Sequence, residues 1–264
     1  MAEASVDVKI ETRTGLGKIA TVTIDNRTKL NCLTSALLVR LREVFEGFAG
    51  EKDLRAAVLT GFGDKSFIGG ADIAELGGLT PESARLFITR VHKACKAIRD
   101  CPVPVIARVN GYCLGAGLEV AASADMRVAA DTAVFGMPEV QLGVPSVVEA
   151  ALLPGLIGWG KTREILLTGE TFGAADARAM GLVEMVMPSA NIDRHVAHWL
   201  ELICRATPQA VRSQKALMNR WERVSVEEGI YAGIDALSEA YRTGEPQQAI
   251  KAFFDAKSKH KRGH

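Results

Sequence analysis

Two glutamates stand out by their surroundings. From Val109 to Ala124 (VNGYCLGAGLEVAASA) the one charged side chain is Glu119, with glycines before it at 111, 115 and 117. Twenty residues on, Glu139 follows Pro138 in FGMPEVQLG (135–143). Burying an unpaired carboxylate is costly, and the usual outcome is a raised pKa that retains the proton. Carboxyls tuned this way exchange protons near neutral pH, which is general acid–base chemistry. The glycines supply a second ingredient. SFIGGADIAEL (66–76) sets Gly69 and Gly70 before Ala71, with Asp72 placed to cap a short helix. NGYCLGAGLEV (110–120) ends a strand in a glycine turn and opens a helix. Both turns let backbone N–H groups approach a ligand. Two such groups aimed at one oxygen stabilise negative charge developing on it, and a helix N-terminus behind one of them adds positive potential. Each piece also has a plain structural reading: a tight turn, a glutamate paired with a base, a surface glutamate. The spacing of Glu119 and Glu139 permits convergence without requiring it.

The elements around these segments follow from hydrophobic periodicity. Residues 6–13 and 18–24 read as a hairpin around Gly15 and Gly17. Helices are expected at 34–49, 81–99, 115–124, 146–157, 160–168 and 174–181, and strands at 55–60, 102–109, 126–130 and through LVEMVM (182–187). The alternation predicts an α/β fold with mainly parallel pairing. After Pro188 the strand pattern stops, and 190–205, 208–222, 226–242 and 246–257 read as helices. The expected division is an α/β core over 1–190 and a helical C-terminal region over 191–264 that packs on the core or on another subunit.

Bulk properties exclude several classes. The chain has 264 residues, 48% apolar and 24% charged, with a net charge of +1. No global field recruits nucleic acid or an acidic membrane, and no apolar run is long enough to span a bilayer. MAEASVDVKIE reads as neither secretion signal nor transit peptide, so the expected location is cytoplasmic. Five cysteines without a C-x-x-C suggest free thiols. His195 and His198 lack a nearby third ligand, so no metal is expected. The basic tail KSKHKRGH reads as a solvated end.

Taken in order, IDNRTKLNCL (24–33), FIGGADIAEL, PVIARVNGYCLGAGLEV, ADMRVAA, FGMPEVQLG and LLTGETFGAADARAMGLVEMVMP resemble the crotonase superfamily, the enoyl-CoA hydratase/isomerase family, over nearly the whole chain. The resemblance implies a crotonase-like spiral of ββα units with a helical C-terminal oligomerisation region, and a homotrimer or homohexamer. It implies an acyl-CoA thioester substrate, with coenzyme A entering as part of that substrate and no further cofactor. The thioester oxygen would sit between the N–H groups of Ala71 and Ala116, and Glu119 and Glu139 would flank the α and β carbons. Lys29, Leu30, Gly70, Asp72, Ile73 and Gly115 would cradle the coenzyme A moiety. By the same resemblance Phe253 and Lys257 would fall in the family's C-terminal stretch, which often reaches a neighbouring subunit's site. The implied reaction is syn addition of water to a trans-2-enoyl-CoA, with Glu139 as proton donor to the α carbon and Glu119 activating water.

Two departures from the family pattern matter. The middle glycine of the usual triple-glycine turn is Ala116, whose N–H still donates. After Gly143, where many hydratases carry a glycine-rich stretch, this chain reads VPSVVEAALLPG. Valines there reshape the acyl pocket. Glu149 is either a third carboxylate or a first-turn residue favoured by the helix dipole. The alternative chemistry is a Δ3,Δ2-enoyl-CoA isomerase, which needs only the match to Glu139 and leaves Glu119 surplus. A dinucleotide fingerprint fails at Val120. A serine hydrolase has only His92 to draw on before residue 195. A non-catalytic RNA binder would rest on the basic tail.

Overall fold

Strands β1 (Ser5–Arg13) and β2 (Gly17–Asp25) pair antiparallel, with Ser5 opposite Asp25. Thr34 then accepts a hydrogen bond from the Leu37 N–H and starts α1 (Ser35–Gly47), which buries Leu37, Leu38, Leu41, Val44 and Phe45. The chain continues as β3 (Leu54–Gly61), β4 (Ser66–Ile68), α2 (Ile73–Leu76), α3 (Pro81–Asp100), β5 (Val105–Val109), β6 (Tyr112–Leu114), α4 (Ala116–Ala122), β7 (Met126–Ala130), β8 (Val134–Gly136), α5 (Leu153–Thr168), β9 (Thr171–Gly173), α6 (Ala174–Ala179), β10 (Met185–Met187) and α7 (Ile192–Arg205). The helices α8 (Pro208–Trp221), α9 (Val226–Arg242) and α10 (Glu245–Arg262) complete it. The structure, a computed structural model, describes residues 3–262. The side chains of the basic tail from 258 onward lie outside the described residues. Among the described residues no helix is long and apolar enough to cross a membrane. None of the five cysteines is in a disulfide.

The chain divides into two compact units, Met1–Glu201 and Leu202–His264. In the first, a six-stranded sheet runs β1-β2-β3-β5-β7-β10, parallel from β2 onward. Its inner strands are near-continuous apolar runs, as parallel strands covered on both faces require. A second sheet, β4-β6-β8-β9, has three-residue strands and is not evident from periodicity. Three-residue strands are too short to show the alternation that marks a strand.

The two sheets share one rule. Three strands of the first are each followed at once by a short strand of the second: β3 by β4, β5 by β6, β7 by β8. Because β4, β6 and β8 are parallel neighbours, the segments leaving them emerge side by side. Those are the glycine turn at 69–72, the glycine turn at 115–117 and the 3₁₀ turn Pro138–Leu142. Asn110 pins one of these switches between sheets, its Nδ2 donating to the carbonyls of Gly61 (3.1 Å), Gly63 (2.6 Å) and Ser66 (3.2 Å).

One helix expectation needs correction. Residues 146 and 147 are not helical; a 3₁₀ turn covers Val148–Leu152, and α5 runs from Leu153 with a break at Gly158 (φ 73°). Gly158 takes a left-handed conformation that interrupts the helix, so the two expected helices are shifted toward one broken helix. Among the described residues the elements of the second unit are helices joined by short turns. In it α9 begins with a reciprocal capping box between Ser225 and Glu228.

Candidate active site

The Ala71 donor is created by a short bridge. Leu33 N–H donates to the Gly70 carbonyl (2.8 Å), and Asp72 N–H donates to the Leu33 carbonyl (2.9 Å). Successive backbone groups of an extended segment point to opposite sides. Gly70 and Asp72 therefore face Leu33, and the Ala71 N–H faces the other way. Gly70 has φ +119°, a backbone that side chains rarely adopt. Ala116 is the first residue of α4, where the N–H has no intrahelical acceptor. Gly115 precedes it with φ 52° and ψ −123°. A Cβ at Gly115 would collide with Oε1 of Glu139, so only glycine lets that carboxyl approach the turn. A Cβ at Gly117 would strike the Ile68 carbonyl, which lets α4 press against β4 and brings the two donors together. Among the described residues, neither the Ala71 nor the Ala116 N–H donates to a protein acceptor.

Both donors open on a cavity of about 790 Å³. Glu119 and Glu139 line it, with Gly70, Ile73 and Gly115. Its apolar wall comes from α3 (Phe87, Ile88, Val91) and from Leu142, Val144 and Val147. The α3 wall is legible in the sequence as a helix face but not as part of a site. Of the valines in the stretch where glycines are expected, Val144 and Val147 line the cavity and Val148 does not.

The two carboxyls have different environments. Glu119 is 4% exposed, and its Oε1 accepts a hydrogen bond from the Ala150 N–H at 3.1 Å. Burial pushes its pKa up to about 8; the charges of Glu139 and Glu149 push the same way, and the Ala150 N–H opposes them. Glu139 is half-buried, and its Oε2 accepts a hydrogen bond from the Ser146 hydroxyl at 2.8 Å. Neither Ser146 nor the Ala150 N–H carries a signal in the sequence, because both act through loop geometry.

The proton on Glu119 has a stability consequence. Its folded pKa lies above the unfolded value of about 4.5, so the folded chain binds more protons between those values. The associated stability is full below pH 4.5 and is lost as pH rises through about 8. Glu119→Gln removes that titration. Urea unfolding at pH 5 and pH 8 is expected to show the variant gaining on the wild type by up to about 4 kcal/mol at the higher pH. An equal difference at both pH values would mean that Glu119 titrates normally.

Lys29, Leu30 and Asp72 do not line the cavity but border the segment that does. Lys29 Nζ lies 2.6 Å from Asp72 Oδ2, and this hydrogen bond holds the Asp72 carboxyl below the usual range. Asp72 also caps α2 through the N–H groups of Ala74 and Glu75. Leu30 is exposed and left-handed (φ 53°), and its carbonyl accepts from the Gly69 N–H. Phe253 and Lys257 lie on α10 in the second unit, are exposed, and are not among the lining residues.

The family described as enoyl-CoA hydratase/isomerase matches residues 15–262. The chain belongs to that family. A short-chain-enoyl-CoA hydratase from Clostridium acetobutylicum is 32% identical over 240 residues, covering 90% of this chain and 92% of the relative. A crotonyl-CoA hydratase from Syntrophomonas wolfei is 31% identical over 239 residues, with coverage of 90% and 92%. The crystal structure of an enoyl-CoA hydratase from Bacillus anthracis superposes with a TM-score of 0.88 at 28% identity, covering 94% of this chain and 96% of that one. The crotonase-type α/β architecture inferred from the motifs is thus the fold of this enoyl-CoA hydratase/isomerase family member.

Proposed function

We propose that this chain is an enoyl-CoA hydratase, adding water across the conjugated double bond of a trans-2-enoyl-CoA. The observation that carries the reading is one cavity lined by two carboxyls of unequal burial and by two unpaired backbone N–H groups. The N–H groups of Ala71 and Ala116 receive the thioester oxygen and stabilise the enolate that forms as water attacks the β carbon. One carboxyl takes a proton from water while the other delivers one to the α carbon. The resemblance names Glu139 as donor and Glu119 as base. The burial of Glu119 argues for the resting proton on Glu119. We therefore treat the two as one pair sharing a proton, which each turnover passes between them. Lys29, Leu30 and the 69–73 segment carry the coenzyme A moiety, and the reaction needs no further cofactor.

Two related names support the reaction: the similar proteins are called short-chain-enoyl-CoA and crotonyl-CoA hydratases. Assembly as a homotrimer or homohexamer fits the exposed apolar row Val226, Ile230, Ile234 and Leu237 on α9. Crotonyl-CoA is expected to lose its conjugated-thioester absorbance on mixing with the protein. An unchanged crotonyl-CoA spectrum, with absorbance instead growing from a 3-enoyl-CoA, would make the chain an isomerase.

A further inference from the structure

The turn that supplies the Ala150 N–H also carries Glu149. This side chain is 5% exposed, and its Oε1 lies 2.7 Å from Nδ1 of His92 on α3. Its Oε2 is buried with no hydrogen-bond partner in the protein. The residue before it, Val148, has φ +40°, a left-handed backbone that a β-branched side chain resists. An orphaned carboxylate oxygen and a strained valine in one five-residue turn are both costly. Such costs persist where the surrounding structure imposes them, and they cluster at working sites. The turn and the residue before it both reach the site: Val147 lines the cavity, and the Ala150 N–H donates to Glu119. His92 itself is half-exposed and follows Val91, another lining residue.

Resting on the hydratase reading, we propose that Glu149 is a positioning residue: anchored by His92, it sets a second negative charge behind Glu119 and so governs which carboxyl of the Glu119–Glu139 pair holds the proton. Burial raises the Glu149 carboxyl above its ordinary range, and the His92 hydrogen bond works against that shift in favour of the carboxylate. The other groups that act on this cluster are Glu139 in the cavity lining, and Arg99 and Cys95 on α3. Cys95 is fully buried, with a thiol pushed well above its ordinary range, first by burial and then by both glutamates, so it contributes no charge. Glu139 lines the cavity with Glu119, whereas Glu149 is not among the lining residues and acts on Glu119 from the turn that supplies the Ala150 N–H.

Two readouts test this separately from the reaction. The first is the carboxyl stretch of Glu119 in the substrate-free protein, followed by infrared against pH and assigned by its loss in Glu119→Gln. The second is crotonyl-CoA hydration against pH, resolved into kcat and KM. Glu149→Gln keeps the shape and the acceptor for His92 but removes the charge. His92→Leu removes the donor, so a buried Glu149 takes up a proton and loses its charge as well. Both are expected to lower the Glu119 midpoint by about one pH unit and kcat by about tenfold or more, with KM little changed. His92→Asn, whose amide can donate from the place of Nδ1, is expected to restore the wild-type midpoint. Wild-type midpoints in both Glu149→Gln and His92→Leu overturn the proposal. So does lost activity with an unmoved midpoint, which is what a merely structural role gives. A moved midpoint in a protein that hydrates no enoyl-CoA upholds the electrostatic role of Glu149 and overturns the hydratase reading instead.

Discussion

Glutamine in place of Glu119 or of Glu139 is expected to lower kcat for crotonyl-CoA hydration by about 10²–10⁴ while leaving KM near its wild-type value. Both substitutions preserve shape and hydrogen bonding. In Glu119→Gln the new amide still offers an oxygen to the Ala150 N–H, and in Glu139→Gln it still accepts from the Ser146 hydroxyl. What each loses is the capacity to release or take up a proton. The effects are expected to be non-additive, because a pair that shares one proton is disabled by losing either member. The double variant should therefore sit near the slower single variant. Steady-state hydration assays on the three proteins decide the matter. Full turnover by either single variant removes that residue from the chemistry. Activity on a 3-enoyl-CoA that depends on Glu139 alone would turn the reading toward the isomerase.

The burial of Glu119 is readable because sixteen residues without another charge leave a carboxylate few exits. The glycine turns are readable for a similar reason, since two glycines beside a strand end demand an unusual backbone. The convergence of Glu139 with Glu119 is not, because it depends on β8 pairing with β6, and both strands are three residues long. Glu149 is legible only as an alternative. The helix-dipole explanation places it in a first helical turn, and it does stand in the first turn of a 3₁₀ helix, but buried beside His92. That contact spans 57 positions, and no local pattern signals it. In the sequence His92 has meaning only as a hydrolase base, and the fold gives it a carboxylate partner instead. The long helices are predictable from period, because each buries a continuous face, and the parallel strands of the main sheet from short apolar runs bounded by turns. The part of the site that escapes local reading is the part assembled by short strands and by hydrogen bonds from turns.

Ala116→Pro isolates the backbone donor on α4, and it is expected to lower kcat by about 10²–10³. A backbone N–H cannot be deleted by changing a side chain, but proline lacks one. Position 116 suits it, because proline is favoured as the first residue of a helix, where the N–H bonds nothing within the helix. The residue before a proline must be extended. Gly115, at φ 52° and ψ −123°, has the mirror image of an extended conformation, which glycine alone can hold without strain. The fold should therefore survive, as a thermal midpoint close to wild type would show. Ala116→Gly is the matched control. It restores the glycine expected from the family pattern and keeps the N–H, so its turnover should stay close to wild type. A KM increase with unchanged kcat in Ala116→Pro would mean that the proline ring only crowds the thioester and that no charge develops against this amide. A loss of kcat in proline but not in glycine would show that the enolate oxygen leans on the Ala116 N–H. With Glu119 and Glu139 intact in both variants, that loss would measure the charge stabilisation separately from the proton transfers.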